Sequence, residues 1–294
     1  MELHKFPAVY REVPATSEEA RKKSVIHWNS GYWLVGEDAL LEPRIAGEIW
    51  HTEDLVKFYP LFVSTVEAGY GVRPQAVLLP LTDWITSNRG MQTYVSDLER
   101  LTSARVLPQG LMGLYYARKT ASLPDRVLVV DAGFRTVNLA AVHGDEVLKA
   151  RTRHDEVGVR NLIQHDFREA LRARFPDITF NLVALNKAWQ AGYIDTGLRR
   201  ESVETEKAAA LRLFLDRFME LLRRDISEMA VETDAILFIG GLAYYFRKDM
   251  IETNKDILIP QENAEFYNVC GAAGYAGVGC AMDLGFGDVK VYKA

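Results

Sequence analysis

The 294 residues, 48% hydrophobic and 26% charged, can bury one large or two moderate cores, which places the chain among globular proteins and excludes a disordered or fibrous one. With 35 basic and 40 acidic residues the net charge is -5, which argues against broad binding to nucleic acid or to an anionic membrane, although local basic patches stay compatible with it. Cys270 and Cys280 are too few for a disulfide framework and lack metal-site spacing, and no signal peptide or membrane-length apolar run is present, so the expected compartment is a reducing cytoplasm.

From Met1 to about Leu40 the pattern predicts a strand, a charged loop over Ser17–Lys23, then a hairpin of Val25–Trp28 and Tyr32–Val35 around Asn29-Ser30-Gly31. His27, Trp28, Tyr32 and Trp33 have two readings, base stacking or cross-strand pairs on a half-buried sheet, and the acidic balance favours the pairs. Glu53–Gly69 has helical spacing through Leu55, Phe58, Phe62 and Val66; a strand at Ala76–Leu81 and a helix around Tyr94–Leu101 follow. Val106-Leu-Pro-Gln109 opens onto the apolar stretch Leu111–Ala117, a helix crossing between two halves.

At Arg126–Val142 four apolar residues run into Asp131, Gly133 permits a turn, and Thr136–Val142 leaves as a second apolar strand before Gly144-Asp145. Gly158–Phe175 is a helix with Val159, Leu162, Phe167 and Leu171 on its apolar side, ended by Pro176. His154 and His165 lack a partner carboxylate at ligand spacing and are read as solvated. Polar Gly192–Glu204 is a loop or a short strand pair. Glu206–Met229 is the longest helix, and its charges, including Arg223-Arg224-Asp225, form a solvated face. The buried-strand run Ala235–Ile239 ends in Gly240-Gly241, where a backbone can pack against a flat ligand. A strand at Ile257–Ile259 and a helix at Tyr267–Ala276 lead to the last segment.

That segment, Ala281–Lys293, repeats the Asp131 design: an apolar approach, Asp283, a tight turn with Gly285 and Gly287, and an alternating exit through Val289, Lys290 and Val291. Glycines let backbone N–H groups approach an anion, Lys290 adds positive charge, and the Asp can hold a hydrated Mg²⁺. The plainer reading is a surface hairpin ending the chain. Two hairpins of one design, with the Gly-Gly strand end as a third signal, imply two halves facing one ligand.

These motifs together resemble the actin fold superfamily of actins, sugar kinases and heat-shock chaperone ATPases, and within it the bacterial and archaeal actin-like proteins of the plasmid-segregating (ParM/StbA) type. Further support comes from Phe6-Pro-Ala-Val9, Tyr32-Trp-Leu-Val-Gly36-Glu-Asp-Ala-Leu40, Val77-Leu-Leu-Pro-Leu81, Leu107-Pro-Gln109, Gly113-Leu-Tyr-Tyr-Ala117 and Gly158-Val-Arg-Asn-Leu162. In that family the first phosphate hairpin opens the chain; here it closes it, directly after Tyr267–Tyr275, which resembles the family's last helix. The expectation is a circular permutation, with Ala294 joining Met1 to restore the family order.

The resemblance implies an α/β, two-lobed actin-like (ribonuclease H-like) fold, with lobe I at 1–118 plus 264–294 and lobe II at 119–263. Asp283, Gly285, Phe286, Gly287 and Lys290 would cradle phosphates from one side, and Gly133, Phe134, Arg135 and Thr136 from the other. Asp283 and Asp131 would hold Mg²⁺, mostly through water. Gln109 matches the position that orients the attacking water, with a helix cap as its structural alternative. Gly158, Gly240, Gly241 and Leu242 belong to the nucleotide site, and Glu204 and Lys207 are the candidate base or ribose contacts. Asn138 stands where plasmid-segregating relatives carry an acidic residue and actins a His, and a weaker proton acceptor there predicts slow turnover. Arg135 replaces a small residue inside the turn, where it contacts phosphate or points to solvent.

The implied activity is slow ATP hydrolysis, with GTP as the open alternative nucleotide. The implied partner is the chain itself, in a nucleotide-dependent cytoskeletal filament serving plasmid segregation or cargo positioning through an adaptor or cargo protein, with no direct nucleic-acid or membrane contact. A small-molecule kinase of the same superfamily and a nucleotide-binding adaptor without hydrolysis are the alternatives.

Overall fold

The computed structural model describes residues 1–22, 24–42, 45–154, 158–197, 199–250 and 253–294, the side chains of His154 and Val183 excepted. The Lys23 end of the expected charged loop and the His154 imidazole therefore lie outside the described residues.

Strands β1 (Glu2–Pro7) and β2 (Val9–Val13) precede the hairpin of β3 (Ile26–Trp28) and β4 (Gly31–Val35). Asn29 and Ser30 turn that hairpin at φ of 45° and 62°, the left-handed pair whose twist matches the flanking strands. His27 and Tyr32 are register partners with ring centroids 4.0 Å apart, so these aromatics are cross-strand pairs. Next come β5 (Gly47–Glu48), α1 (Thr52–Tyr70), β6 (Ala76–Leu79), α2 (Leu81–Asn88), α3 (Tyr94–Thr102), β7 (Arg105–Pro108) and α4 (Leu111–Thr120). The middle of the chain holds β8 (Arg126–Ala132), β9 (Thr136–His143) and β10 (Glu146–His154). It continues as one helical run of α5 (Val159–Asn161), a π-helical segment Leu162–Phe167 and α6 (Arg168–Arg174). The remainder is α7 (Leu182–Ala191), β11 (Tyr193–Asp195), β12 (Arg200–Ser202), α8 (Glu204–Met229), β13 (Ala235–Ile239), β14 (Asp256–Leu258), α9 (Tyr267–Ala276), β15 (Cys280–Leu284) and β16 (Asp288–Lys293).

The sequence reading had one strand where β1 and β2 stand and none at β5 or β10, and two further departures have a local cause. Leu81 does not end a strand; it opens α2, because Pro80 has no N–H to give a ladder and its fixed φ suits a helix entry. Helix α7 has only ten residues, and its signal is the Asn181 side chain accepting the Ala184 N–H at 2.8 Å.

The two large sheets share one plan. The first has the order β1-β16-β15-β6-β7 and the second β10-β9-β8-β13-β14. In each, three antiparallel strands are followed by two parallel ones. The second sheet is threaded in chain order as its third, second, first, fourth and fifth positions. The first sheet acquires that same threading if the chain is taken to start at β15. Glu2 and Lys293 face each other across the β1–β16 ladder, so the two chain ends are neighbours. A smaller sheet, β3-β4-β2-β5, stands beside the first.

Central strands are apolar on both faces because both faces are covered. Val127–Val130 and Ala235–Ile239 pack under the π-helical segment, α7 and α8 on one side and α4 on the other. Each fully buried Leu, Ile or Phe there contributes roughly 1.5–3 kcal/mol. Helices α4 and α9 cross where the two sheets meet. Met112 of α4 packs with Leu78, Leu107 and Val269, while Leu114 and Ala117 pack with Val127 and Val129. A Cβ on Gly271 would lie 1.8 Å from the Met112 carbonyl oxygen, so this crossing is backbone against backbone.

One charged residue departs from the solvated face expected on α8. Asp225 is 0% exposed, because the Arg153 guanidinium from β10 donates to both its oxygens at 2.5 and 2.6 Å and Arg151 reaches it as well. A buried carboxylate held by two arginines stays ionised, and its pKa is lowered although burial pushes the other way.

Candidate functional site

The hairpins β15–β16 and β8–β9 are built on one template. Asp283 lies opposite Lys290, and Asp131 lies opposite Asn138. The Gly285 N–H donates to the Asp288 carbonyl at 3.0 Å, and the Gly133 N–H donates to the Thr136 carbonyl at 2.8 Å. Phe286 and Phe134 therefore occupy matching tips. Each Asp sits near the carboxyl end of the central strand of its sheet, beside the change from antiparallel to parallel pairing, where open α/β sheets bind ligands.

Tyr59 of α1 props the first hairpin. Strands β15 and β6 pair only at Ala281 and Met282. Beyond that point the Tyr59 hydroxyl accepts the Leu78 and Leu284 N–H groups at 3.1 and 3.2 Å and serves the Leu78 and Met282 carbonyls, each at 3.1 Å. Burial raises its pKa, so the phenol stays a donor.

Both carboxylates border one cavity of about 590 Å³ that is also lined by Gln109, Gly133, Phe134, Arg135, Thr136, Asn138, Gly240, Gly241, Gly285, Phe286, Gly287 and Lys290. Fourteen of the eighteen sequence candidates thus converge on one concavity. Gly158, Leu242, Glu204 and Lys207 do not line it. Gly158 lies under the second hairpin, where a Cβ would meet the Phe134 carbonyl oxygen at 2.1 Å. Leu242 is buried in the core of the second sheet. Glu204 and Lys207 line an adjoining hollow that shares Trp189, Gln190 and Tyr245 with the main cavity, and there the Trp189 indole N–H donates to the Tyr245 hydroxyl at 2.9 Å.

Gln109 Nε2 donates to Asp283 Oδ1 at 2.6 Å, so its amide holds a carboxylate; the residue that opens α4 is Gly110. Asn138 Oδ1 accepts from Thr152 Oγ1 at 2.8 Å, and Thr152 is in turn 2.7 Å from Thr82 of α2. Gly240 has φ of 88° and approaches so closely that a Cβ would lie 2.4 Å from the Ala132 carbonyl oxygen and 2.9 Å from Asp131 Oδ1. His165 is solvent-facing beside Asp166.

The hairpin tips touch one another. A Cβ on Gly287 would lie 2.3 Å from Phe134 Cγ, so the Phe134 ring rests on that glycine's backbone. Arg135 donates to the Trp50 carbonyl, and its guanidinium lies 5.0 Å from the Trp50 ring centroid and 5.7 Å from that of Phe286. Arg160 stacks 3.7 Å from the Trp50 ring centroid and is paired with Glu48 at 3.4 Å.

Cavity features that escape the sequence reading include Asn268 of α9, Tyr245 beyond the Gly-Gly pair, the wall made by α7 with Asn186, Trp189 and Gln190, and the charged residues Lys5, Glu37, Glu48, Glu265 and Asp288. Asn268 carried a usable signal, since it is a lone polar side chain among the small and apolar residues of Tyr267–Ala276.

Burial dominates the electrostatics. It pushes Asp131 up to about 6, with repulsion from Asp283 added, while Asn268, Lys290 and Asn138 pull it down. Asp283 is also raised by burial, against Lys290 and Gln109. Two destabilised carboxylates facing one cavity are the groups that could hold a hard divalent cation through oxygen. Among the described residues no group of three His, Cys, Asp or Glu is gathered, so most of such an ion's ligands would be water or a bound anion.

The raised value has a consequence for stability. Between the ordinary 3.8 and about 6 the native chain binds a proton that the unfolded chain has released, so Asp131 costs stability above that window and ceases to do so below it. Asp131→Asn should therefore melt above wild type at neutral pH, by on the order of a few kcal/mol, and the gap should close as pH falls toward 3.8 in a calorimetric pH series. A constant gap across that range would contradict it.

No protein-family model matches the sequence, and no curated protein matches it. Solved structures do match. An archaeal actin homologue in complex with ADP aligns over 92% of both chains at TM-score 0.67 and 14% identity. A ParM in a 15-stranded filament from Clostridium botulinum aligns over 92% of both at TM-score 0.65 and 14% identity. Bacillus thuringiensis ParM with ATP aligns over 92% of this chain and 89% of its own at TM-score 0.60 and 12% identity. Two five-stranded sheets of one plan, twin Asp hairpins facing one cavity, and these alignments lead to one conclusion: the chain has the two-lobed actin-like fold.

Proposed function

We propose that this chain is an actin-like ATPase that binds a magnesium-bound adenine nucleotide between its lobes, hydrolyses it slowly and assembles into nucleotide-dependent filaments. The observation that carries the reading is the pair of buried carboxylates, Asp131 and Asp283, on matching glycine hairpins at one cavity. Lobe I is 1–118 with 264–294 and lobe II is 119–263. All strands of the first and small sheets fall in the former and all strands of the second in the latter, which supports the division.

Mg²⁺, when bound, neutralises phosphate charge. Asp131 and Asp283 would hold it, mostly through water, and Lys290 with the glycine turns would carry the phosphates. Gln109, anchored by its N–H on Asp283, keeps its amide oxygen to accept from a water. Asn138 is a poor proton acceptor, which fits slow turnover. The base binds on the Gly240, Gly241 and Tyr245 side, with GTP as the alternative nucleotide. The structural neighbours carry ADP and ATP, and one is a filament, which supports both nucleotide binding and self-association; an adaptor or cargo protein completes the proposal. Among the described residues no helix is long and apolar enough to cross a membrane.

Release of phosphate from Mg²⁺-ATP by the purified chain tests the reading. Turnover that is unaffected in Gln109→Ala and Asp131→Ala would overturn it.

We also infer that the chain is circularly permuted. The shared plan of the two sheets supports it, as does the Glu2–Lys293 register, which leaves Ala294 and Met1 to close a two-residue hairpin. A rearranged chain with Ala294 joined to Met1 and new ends at Gly277–Gly279 should fold and melt cooperatively within a few degrees of the original. Failure to fold would count against the permutation.

A further inference from the structure

We propose that Asn268 is the positioning residue that aims Asp131 into the cleft and ties it to Gln109 through the start of α4; the proposal rests on the nucleotide-site reading above. Asn268 is 5% exposed, and both ends of its amide are used. Its Nδ2 donates to Asp131 Oδ2 at 2.8 Å, across from α9 to the second sheet. Its Oδ1 accepts the Gly110 N–H at 2.7 Å and the Gly113 N–H at 3.1 Å, two of the donors that the first turn of α4 leaves unpaired.

Gly110 directly follows Gln109, whose side chain is bound to Asp283 and whose own N–H donates to the Leu79 carbonyl at 2.9 Å. One line of hydrogen bonds thus runs from the carboxylate of the second hairpin, through Asn268 and the head of α4, to the carboxylate of the first. Only a group with a donor and an acceptor can fill this place. An ionised Asp would present two acceptors and repel Asp131, and Ala would present neither.

The helix crossing is shaped to admit the amide. A Cβ on Gly113 would lie 3.0 Å from Asn268 Oδ1 and 2.2 Å from Ile239 Cδ1, and Gly271, three residues after Asn268, brings α9 against the Met112 carbonyl. The side chain therefore reaches α4 and Asp131 at once. Holding one carboxylate oxygen fixes which oxygen faces the cavity, the service that outer-shell partners perform for ion-binding carboxylates.

Asn268 has two separable duties, capping α4 and aiming Asp131, and a double-mutant cycle in the full chain separates them. The readouts are the dissociation constant of a fluorescent ADP analogue with Mg²⁺ and the thermal midpoint. Asn268→Ala should weaken binding about tenfold in the wild-type background and within about twofold in an Asp131→Ala background, while the midpoint falls in both. An equal loss of affinity in both backgrounds would overturn the proposal and leave only the cap. If Asn268→Ala does not fold, Asn268→Ser, whose hydroxyl is too short to span both partners, takes its place in the same cycle with the same outcomes. A wild-type chain that binds no nucleotide would overturn the site reading and this proposal together, before any variant is compared.

Discussion

Asp283→Ala should lower ATP turnover by about a hundredfold or more while leaving a folded protein. Asp283 is 4% exposed, and its carboxylate is raised by burial, so removing it relieves a cost of the fold even as it empties the site. Two functions go with it. The cavity loses one of its two buried carboxylates, and Gln109 loses the acceptor that fixes its amide. Misplacing a water-orienting group by about 1 Å is itself worth on the order of a hundredfold in rate. Circular dichroism with steady-state phosphate release checks both halves. Turnover near wild type in a folded variant would show that the first hairpin is only a surface hairpin.

Gly271→Ala should be strongly destabilising. The new Cβ would meet the Met112 carbonyl oxygen at 1.8 Å and its carbon at 2.5 Å, both backbone atoms of α4 that no rotamer change can move. The helices must part, and the packing of α4 against both sheets loosens with them. A loss of about 3 kcal/mol is expected, read as a lower denaturation midpoint at unchanged slope. Gly274 in the same helix supplies the control. A Cβ there meets only Tyr115 Cε1 at 3.6 Å and Lys119 Nζ at 3.8 Å, so Gly274→Ala should be neutral or gain up to about 1 kcal/mol. Equal effects at the two glycines would mean that the crossing is not tightly packed.

The legible part of this molecule is the part that uses local rules. Val127–Val130 running into Asp131, or Cys280–Met282 into Asp283, announces a buried strand that ends in a functional turn, and both hairpins formed at those places. Helices α1 and α8 were visible in their apolar spacing, and α9 in its likeness to the last helix of the actin-like family. What stayed hidden depends on residues distant in sequence. Asp225 sits on a helix stretch that looks solvated, and only β10, some 72 residues earlier, supplies the arginine that buries it. Glu204 and Lys207 were read as base or ribose contacts, but they line an adjoining hollow that shares Trp189 and Tyr245, residues 56 apart in sequence, with the main cavity. Asn268 is 137 residues from Asp131, and no periodicity records that distance. Arg135 had two sequence readings, phosphate or solvent; in the structure it reaches Trp50 while lining the cavity.

The contact between hairpin tips joins local and distant rules. Gly287 was read as a phosphate-facing glycine, and in this structure the space above it is taken by Phe134. The missing side chain thus lets the two hairpins touch, with Arg135 and Arg160 gathered on Trp50 nearby.

High-speed pelleting with electron microscopy of the purified chain, with and without Mg²⁺-ATP and beside Asp283→Ala, tests the central claim most directly. The account predicts filaments that require nucleotide and are absent in the variant. A chain that binds ATP yet stays monomeric across concentration, salt and nucleotide would contradict the filament reading and favour the kinase or adaptor alternatives.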